Sequence, residues 1–177
     1  MLEVFYMKEW LQRESISKPV FLLMIILISI TFVLHGGILI LKMGIYSGIG
    51  VGDSMMKTLS NESKLLFIKS DFKEIKRGDL VTFPINRNGE SLQALKRVIA
   101  LPNETIKIKE SNVYINGELL DEPYAYYIQP SKDDLNLTVP DDGYFVMGDN
   151  RIVSLDSRIL GAISKTSIDS VVLKFKK

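Results

Sequence analysis

The stretch Gly50-Val51-Gly52-Asp53-Ser54-Met55-Met56-Lys57-Thr58-Leu59 sets one small hydroxyl residue between glycines and an apolar run. Gly48, Gly50 and Gly52 carry no side chain that would keep another backbone away. A serine hydroxyl becomes a nucleophile only when a neighbouring base takes its proton. The kind of base available therefore decides what Ser54 could do. The chain has no cysteine, and its one histidine, His35, lies in a long apolar run. A Ser-His-Asp triad, a Cys-His pair and a histidine-rich zinc site are thereby excluded from the part of the chain that carries Ser54. No metal or other cofactor is expected. A carboxylate or a lysine remains as the base.

Lys96 sits in Leu95-Lys96-Arg97-Val98-Ile99, a lysine inside an apolar, strand-like run. Such a lysine can lay its stem along apolar surface and keep its amine in water. As a base it must be neutral, although a free lysine has a pKa of ~10.4. Desolvation can lower that by ~3 units at a cost of ~4 kcal/mol, which only a site needing a neutral amine would normally retain. Arg97 points to the opposite face of a strand, where it is available for a structural ion pair. A second polar cluster, Gly148-Asp149-Asn150-Arg151-Ile152-Val153-Ser154-Leu155-Asp156-Ser157-Arg158, follows a run that reads as a buried strand. It fits a solvated loop. Its hydroxyl, carboxylate and guanidinium groups could equally lock the surroundings of a site.

The elements that must position these residues are mostly strands. Lys64–Ile68, Asp79–Phe83, Ser91–Ala100, Thr105–Lys109, Val113–Ile115, Tyr144–Met147 and Ser170–Phe175 are short and rich in β-formers. Asn88-Gly89, Asn116-Gly117 and Asp142-Gly143 supply turns. Gln129–Thr138 is polar and reads as a surface loop. The pattern predicts a mostly β domain, a partly closed barrel or sandwich of short antiparallel strands.

Ahead of it, Val20–Leu41 is a run of 22 residues without a charge. As a helix it would extend ~33 Å, enough to cross a ~30 Å hydrocarbon core. It is longer than the ~7–15-residue core of a cleaved signal peptide. Lys8, Arg13 and Lys18 precede it, while Lys42 and Lys57 follow it closely. That bias predicts a cytoplasmic segment at 1–19, a membrane helix at 20–41 and an extracytoplasmic domain at 42–177. His35 reads as a neutral, incidental group near the outer interface. The chain has 22 basic and 21 acidic residues, a net charge of +1. That balance lacks the basic stripe of a nucleic-acid binder, so the expected non-peptide partner is the lipid bilayer.

Taken in order, these stretches resemble the type I signal peptidases, membrane-bound Ser/Lys proteases that remove signal peptides from exported preproteins. The family's nucleophile box, Gly-x-Ser-Met-x-Pro-Thr-Leu, is similar to Gly52-Asp53-Ser54-Met55-Met56-Lys57-Thr58-Leu59. Its next box resembles Arg77-Gly78-Asp79-Leu80-Val81. The lysine box, Lys-Arg-Val-Ile-Gly-Leu-Pro-Gly-Asp, resembles Lys96-Arg97-Val98-Ile99-Ala100-Leu101-Pro102-Asn103-Glu104. The last box, Gly-Asp-Asn-Arg-x-x-Ser-x-Asp-Ser-Arg, matches 148–158 at every specified position. Asn116-Gly117 and Asp121-Glu122-Pro123-Tyr124 resemble the short bacterial members.

The resemblance implies that Ser54 is the nucleophile and Lys96 the general base. Ser154 would hold the lysine amine, Asp156 and Arg158 would brace the loop together with Arg97, and the Ser54 N–H would receive the oxyanion. It also implies cleavage after small-x-small sequences such as Ala-x-Ala. Met55 and Leu95, beside the two reactive residues, are the candidates to line the substrate pockets. Three departures stand out: Lys57 replaces a proline, Ala100 and Asn103 replace two glycines, and Gly52 stands where larger members carry a serine. The competing reading is a non-catalytic, membrane-anchored relative that assists assembly of surface proteins. Relatives of that kind lose the serine or the lysine, and this chain keeps both.

Overall fold

The computed structural model describes residues 18–42, 44–87, 89–127 and 134–176. The expected cytoplasmic segment, Asn88 of the Asn-Gly turn and 129–133 of the polar loop lie outside the described residues, the first except for Lys18 and Pro19. The chain divides into two units, Met1–Lys42 and Met43–Lys177.

In the first unit, helix α1 runs over Lys18–Lys42. Within it, Pro19–Ile40 is long and apolar enough to span a membrane, and none of its most apolar window is buried against protein. A helix with apolar residues all round and no protein cover suits lipid. Its few polar groups bond within the helix, Ser29 Oγ to the Ile25 carbonyl at 2.8 Å and Thr31 Oγ1 to the Ile28 carbonyl at 2.8 Å.

The second unit holds two antiparallel sheets. One has seven strands in the order β1-β2-β11-β3-β4-β9-β10, and the other four in the order β7-β6-β5-β8. The strands are β1 Tyr46–Gly50, β2 Ser63–Lys69, β3 Leu80–Arg87, β4 Glu90–Ala100, β5 Thr105–Lys109 and β6 Asn112–Ile115. They continue with β7 Glu118–Leu119, β8 Leu135–Thr138, β9 Gly143–Met147, β10 Ile163–Ser164 and β11 Ser170–Lys176. Alternation explains most of them. In β5, Ile106 and Ile108 are buried while Thr105, Lys107 and Lys109 face out. β9 is buried on both faces, because Tyr144 and Val146 enter one core and Phe145 and Met147 another. Each fully buried side chain of this size contributes about 1.5–3 kcal/mol.

One expectation needs correction. Leu135–Thr138 is not loop but strand β8, paired with β5 from Thr105↔Thr138 to Ile108↔Leu135. Its Leu-Asn-Leu-Thr alternation turns Leu135 and Leu137 onto the second core. The glycine-spaced run before Ser54 is likewise ordered as β1, paired with β2 from Tyr46↔Phe67 to Gly50↔Ser63. A Cβ on Gly48 would sit 3.0 Å from the Phe67 ring, so the close approach allowed by glycine is spent on packing. A third cluster, Met55, Leu59, Leu65, Phe67, Leu80 and Val172, lies beneath the Ser54 turn.

Candidate active site

Ser54 stands in the turn between β1 and β2. Met55 and Leu59 drop into the third core at 3% and 5% exposure and anchor that turn. Backbone bonds from Met56 N to the Asp53 carbonyl (3.0 Å) and from Leu59 N to the Met55 carbonyl (2.9 Å) close it. Lys57 takes φ 88°. No proline could occupy that position, since its ring fixes φ near −65°. The turn after Ser54 therefore has a different backbone from the one the family proline would impose. Asn103, at a family glycine position, has φ 65°, a conformation asparagine tolerates.

Lys96 lies in β4, paired with Val81 of β3. Its Nζ is 3.0 Å from Ser54 Oγ and donates to its neighbour's carbonyl, Leu95 O, at 3.1 Å. The residue is 4% exposed. Burial pushes its pKa down to about 8, against the carboxylates of Asp156 and Asp149, which hold it up. When the amine is neutral, its lone pair can accept the Ser54 proton at this distance. Ser54 and Lys96 open onto a groove of about 550 Å³ bordered by Ile49, Val51, Met55, Leu95 and Val153. Both pocket candidates, Met55 and Leu95, border it.

Arg97 projects from the other face of β4, as strand geometry requires. Its Nε and Nη2 donate to the two oxygens of Asp149 at 2.8 and 2.7 Å, and Nη1 donates to the Gly78 carbonyl at 2.9 Å. Thr58 joins the pair by donating to Asp149 and accepting from Arg97 Nη2. The Asp149 side chain is fully buried. A fork-to-fork pair of this kind fixes geometry as well as charge.

The Gly148–Arg158 cluster ends in the short helix α2, Ser157–Leu160, whose N-cap is Asp156. Asp156 also accepts from Gly148 N at 2.9 Å and from Arg158 Nε at 2.9 Å, and Arg158 Nη2 donates to the Arg151 carbonyl at 2.7 Å. Asp156 and Arg158 thus brace the loop against itself. The loop reaches the nucleophile by backbone alone: Asn150 N donates to the Ser54 carbonyl at 3.0 Å. Gly148 makes that approach possible. A Cβ there would lie 2.7 Å from Ser54 O and 2.1 Å from Ser154 Oγ.

Ser154 departs from expectation. Its Oγ is buried and has no hydrogen-bond partner among the described residues, so no bond joins it to the lysine amine. Sequence reasoning missed Thr58, Asp149, Asn150 and Arg151. Their signal in the sequence was the density of polar side chains beside Ser54 and after β9, and their places in the first and last family boxes.

Fold and site together define a serine–lysine arrangement on a β scaffold, in a chain that also carries the apolar helix Lys18–Lys42. The model of the signal peptidase family, peptidase S26, matches residues 20–174, and the chain belongs to that family. It is 40% identical over 131 residues to signal peptidase I S of Bacillus subtilis, covering 66% of this chain and 68% of that protein. It is 42% identical over 135 residues to a signal peptidase I P of Bacillus subtilis subsp. natto, covering 68% and 70%. Among solved structures it is similar to a signal peptidase I from Enterococcus faecalis, at 36% identity and a TM-score of 0.48, covering 56% of this chain and 97% of that one.

Proposed function

We propose that Ser54 is the nucleophile and Lys96 the general base of this membrane-anchored serine peptidase, which removes signal peptides from exported preproteins. The observation that carries the assignment is the 3.0 Å contact between Ser54 Oγ and the amine of a lysine only 4% exposed. With a pKa of about 8, about a tenth of Lys96 is neutral at pH 7.

Ser54 Oγ attacks the scissile carbonyl as its proton moves to Lys96 Nζ. The Ser54 N–H, which donates to no backbone carbonyl among the described residues, receives the oxyanion. The C–N bond then breaks, and the leaving amine of the mature chain takes the proton back from Nζ. Water adds to the acyl-serine and gives its proton to Nζ. That proton returns to Ser54 Oγ as the signal peptide leaves with a carboxylate.

The groove accepts an extended peptide, with the exposed edge of β1 on one side and β4 on the other. Residues one and three before the cut point to the same side of such a strand. Met55 and Leu95 leave room there for alanine-sized groups, so cleavage follows small-x-small sequences. Residues 1–19 lie in the cytoplasm, 20–41 cross the bilayer once, and 42–177 work outside, where the end of a translocating signal peptide emerges. Nucleic acid has no part in this. The test incubates the purified chain in detergent micelles with a preprotein ending its signal in Ala-x-Ala. Mass spectrometry should find the mature N-terminus, and an intact preprotein would overturn the assignment.

A further inference from the structure

The segment Asp121–Tyr127 belongs to neither sheet and plays no part in the chemistry above. It nevertheless grips both arginines beside the reactive pair. Glu122 receives Arg151 Nη2 at 2.5 Å and Nη1 at 3.2 Å, with the arginine fully buried and the glutamate side chain 8% exposed. Tyr127 OH accepts from the same guanidinium. Tyr124 lays its ring over Arg97, 4.1 Å from guanidinium carbon to centroid, and its hydroxyl donates to Glu122 at 3.2 Å. The backbone is stitched as well: Tyr126 N donates to the Asp149 carbonyl at 2.7 Å, and Arg151 N to the Tyr126 carbonyl at 3.1 Å.

Between those two stitches lies Asn150, whose N–H holds the Ser54 carbonyl. Asp149, held by Arg97, lies on one side of it and Arg151, held by Glu122, on the other. The segment thus clamps the backbone contact that, among the described residues, ties the 148–158 loop to the nucleophile. We propose that Glu122 and Tyr124 are positioning residues that hold Asn150 against the Ser54 carbonyl and thereby set the distance from Ser54 Oγ to Lys96. This rests on the assignment of Ser54 and Lys96 as the reactive pair.

A loosened clamp changes two things at once. The serine and the amine lose their alignment, and small displacements of that kind cost about 10–100-fold in rate. Water also reaches Lys96, which then keeps its proton to higher pH. The charges facing the amine are the carboxylates of Asp149 and Asp156, themselves paired with Arg97 and Arg158. Neither carboxylate is removed by changes at Glu122 or Tyr124.

The experiment measures preprotein cleavage from pH 6 to 10 for wild type, Glu122→Gln, Tyr124→Leu and Tyr124→Phe, with a core control, Ile106→Val, that lowers Tm only. Glu122→Gln and Tyr124→Leu should lower kcat about 10–100-fold, leave KM within about twofold, and move the rising pH limb upward. Tyr124→Phe keeps the ring over Arg97 and should restore most of what Tyr124→Leu loses. Ile106→Val should leave the limb in place. A wild-type limb and kcat in Glu122→Gln, or equal losses in Tyr124→Phe and Tyr124→Leu, would overturn the proposal. If Glu122→Gln fails to fold, the two Tyr124 variants decide alone. An inactive wild type would strike the serine–lysine assignment instead.

Discussion

The backbone N–H of Asn150 donates to the carbonyl of Ser54 across 3.0 Å, so main chain, beside the Thr58–Asp149 side-chain bond, joins the turn of the first motif to the loop of the last. Gly148 lies two residues before that bond and touches both Ser54 and Ser154. The site's tolerances follow from this crowding and from the burial of Lys96.

Gly148→Ala should be among the most damaging small changes. Its Cβ would press on the Ser54 carbonyl at 2.7 Å, a backbone atom that cannot turn aside. Overpacking of this kind costs about 1–3 kcal/mol. Thermal unfolding should show the loss of stability, and cleavage should fall further than stability alone explains, because Ser54 itself is displaced. Wild-type activity in Gly148→Ala would contradict the close approach.

Ser54→Ala and Lys96→Ala should each reduce cleavage to background, and the double variant should be no worse than either, since the two act as a unit. Lys96→Arg should also be inactive, because guanidinium does not give up its proton at working pH. Product formation from one preprotein across the four variants checks all of this.

Activity should rise with pH through the Lys96 pKa of about 8 and level off above it. The same shift has a stability consequence. Folded Lys96 titrates near 8 against 10.5 for the free group. Between those values the unfolded chain binds more protons, so stability climbs as pH rises through that window. Below about 8 both states are protonated, and the folded state carries the full penalty of about 3 kcal/mol. Lys96→Met should therefore unfold at a higher temperature than wild type at pH 7, with the gap closing by about pH 10. Calorimetry at the two pH values separates this from a general packing effect, which would not depend on pH.

Lys57→Pro, the substitution that restores the family residue, should harm this protein. Its φ of 88° is closed to proline, whereas glycine adopts it freely. Lys57→Gly should be neutral or stabilise by up to about 1 kcal/mol. Tm values for the two variants should therefore move in opposite directions or differ clearly in size. A proline variant as stable and active as wild type would refute the turn geometry.

Preproteins varied only at the first and third residues before the cut should be processed with alanine or glycine at the first. A large side chain there should block cleavage if, as proposed, Met55 and Leu95, which border the groove, line the pocket for that residue. Product ends read by mass spectrometry give the answer. Equal cleavage after Ala, Leu and Phe would refute the pocket reading.

Much of this molecule was legible in its residues. Strands with clean alternation, such as Thr105–Lys109, could be read to the residue, because one face had to be apolar. Elimination left a carboxylate or a lysine as the partner of Ser54, and the resemblance of the motifs to the signal peptidases singled out Lys96. β1 and β8 were harder: Gly48 and Gly50 carry no pattern, and Leu135–Thr138 is too short and polar to outweigh its loop-like surroundings. Ion pairs were the least accessible. Nothing in the spacing of Glu122 and Arg151, or of Arg97 and Asp149, says that they meet. Partner choice among many charges is settled only once the chain has been folded around them. Ser154 shows the reverse limit, a hydroxyl with an expected partner that the packing does not supply.

In the seven-stranded sheet, β1 and β2 flank Ser54, β3 and β4 carry Lys96, and β11 lies between the two pairs. β11 is thus the seam that unites the half bearing the hydroxyl with the half bearing the amine. Ser170–Lys176, paired with Leu65 and its neighbours on one side and with Val81 and Thr82 on the other, therefore sets the register of the two halves. Pairings between segments so far apart in sequence form slowly, after nearby hairpins have closed.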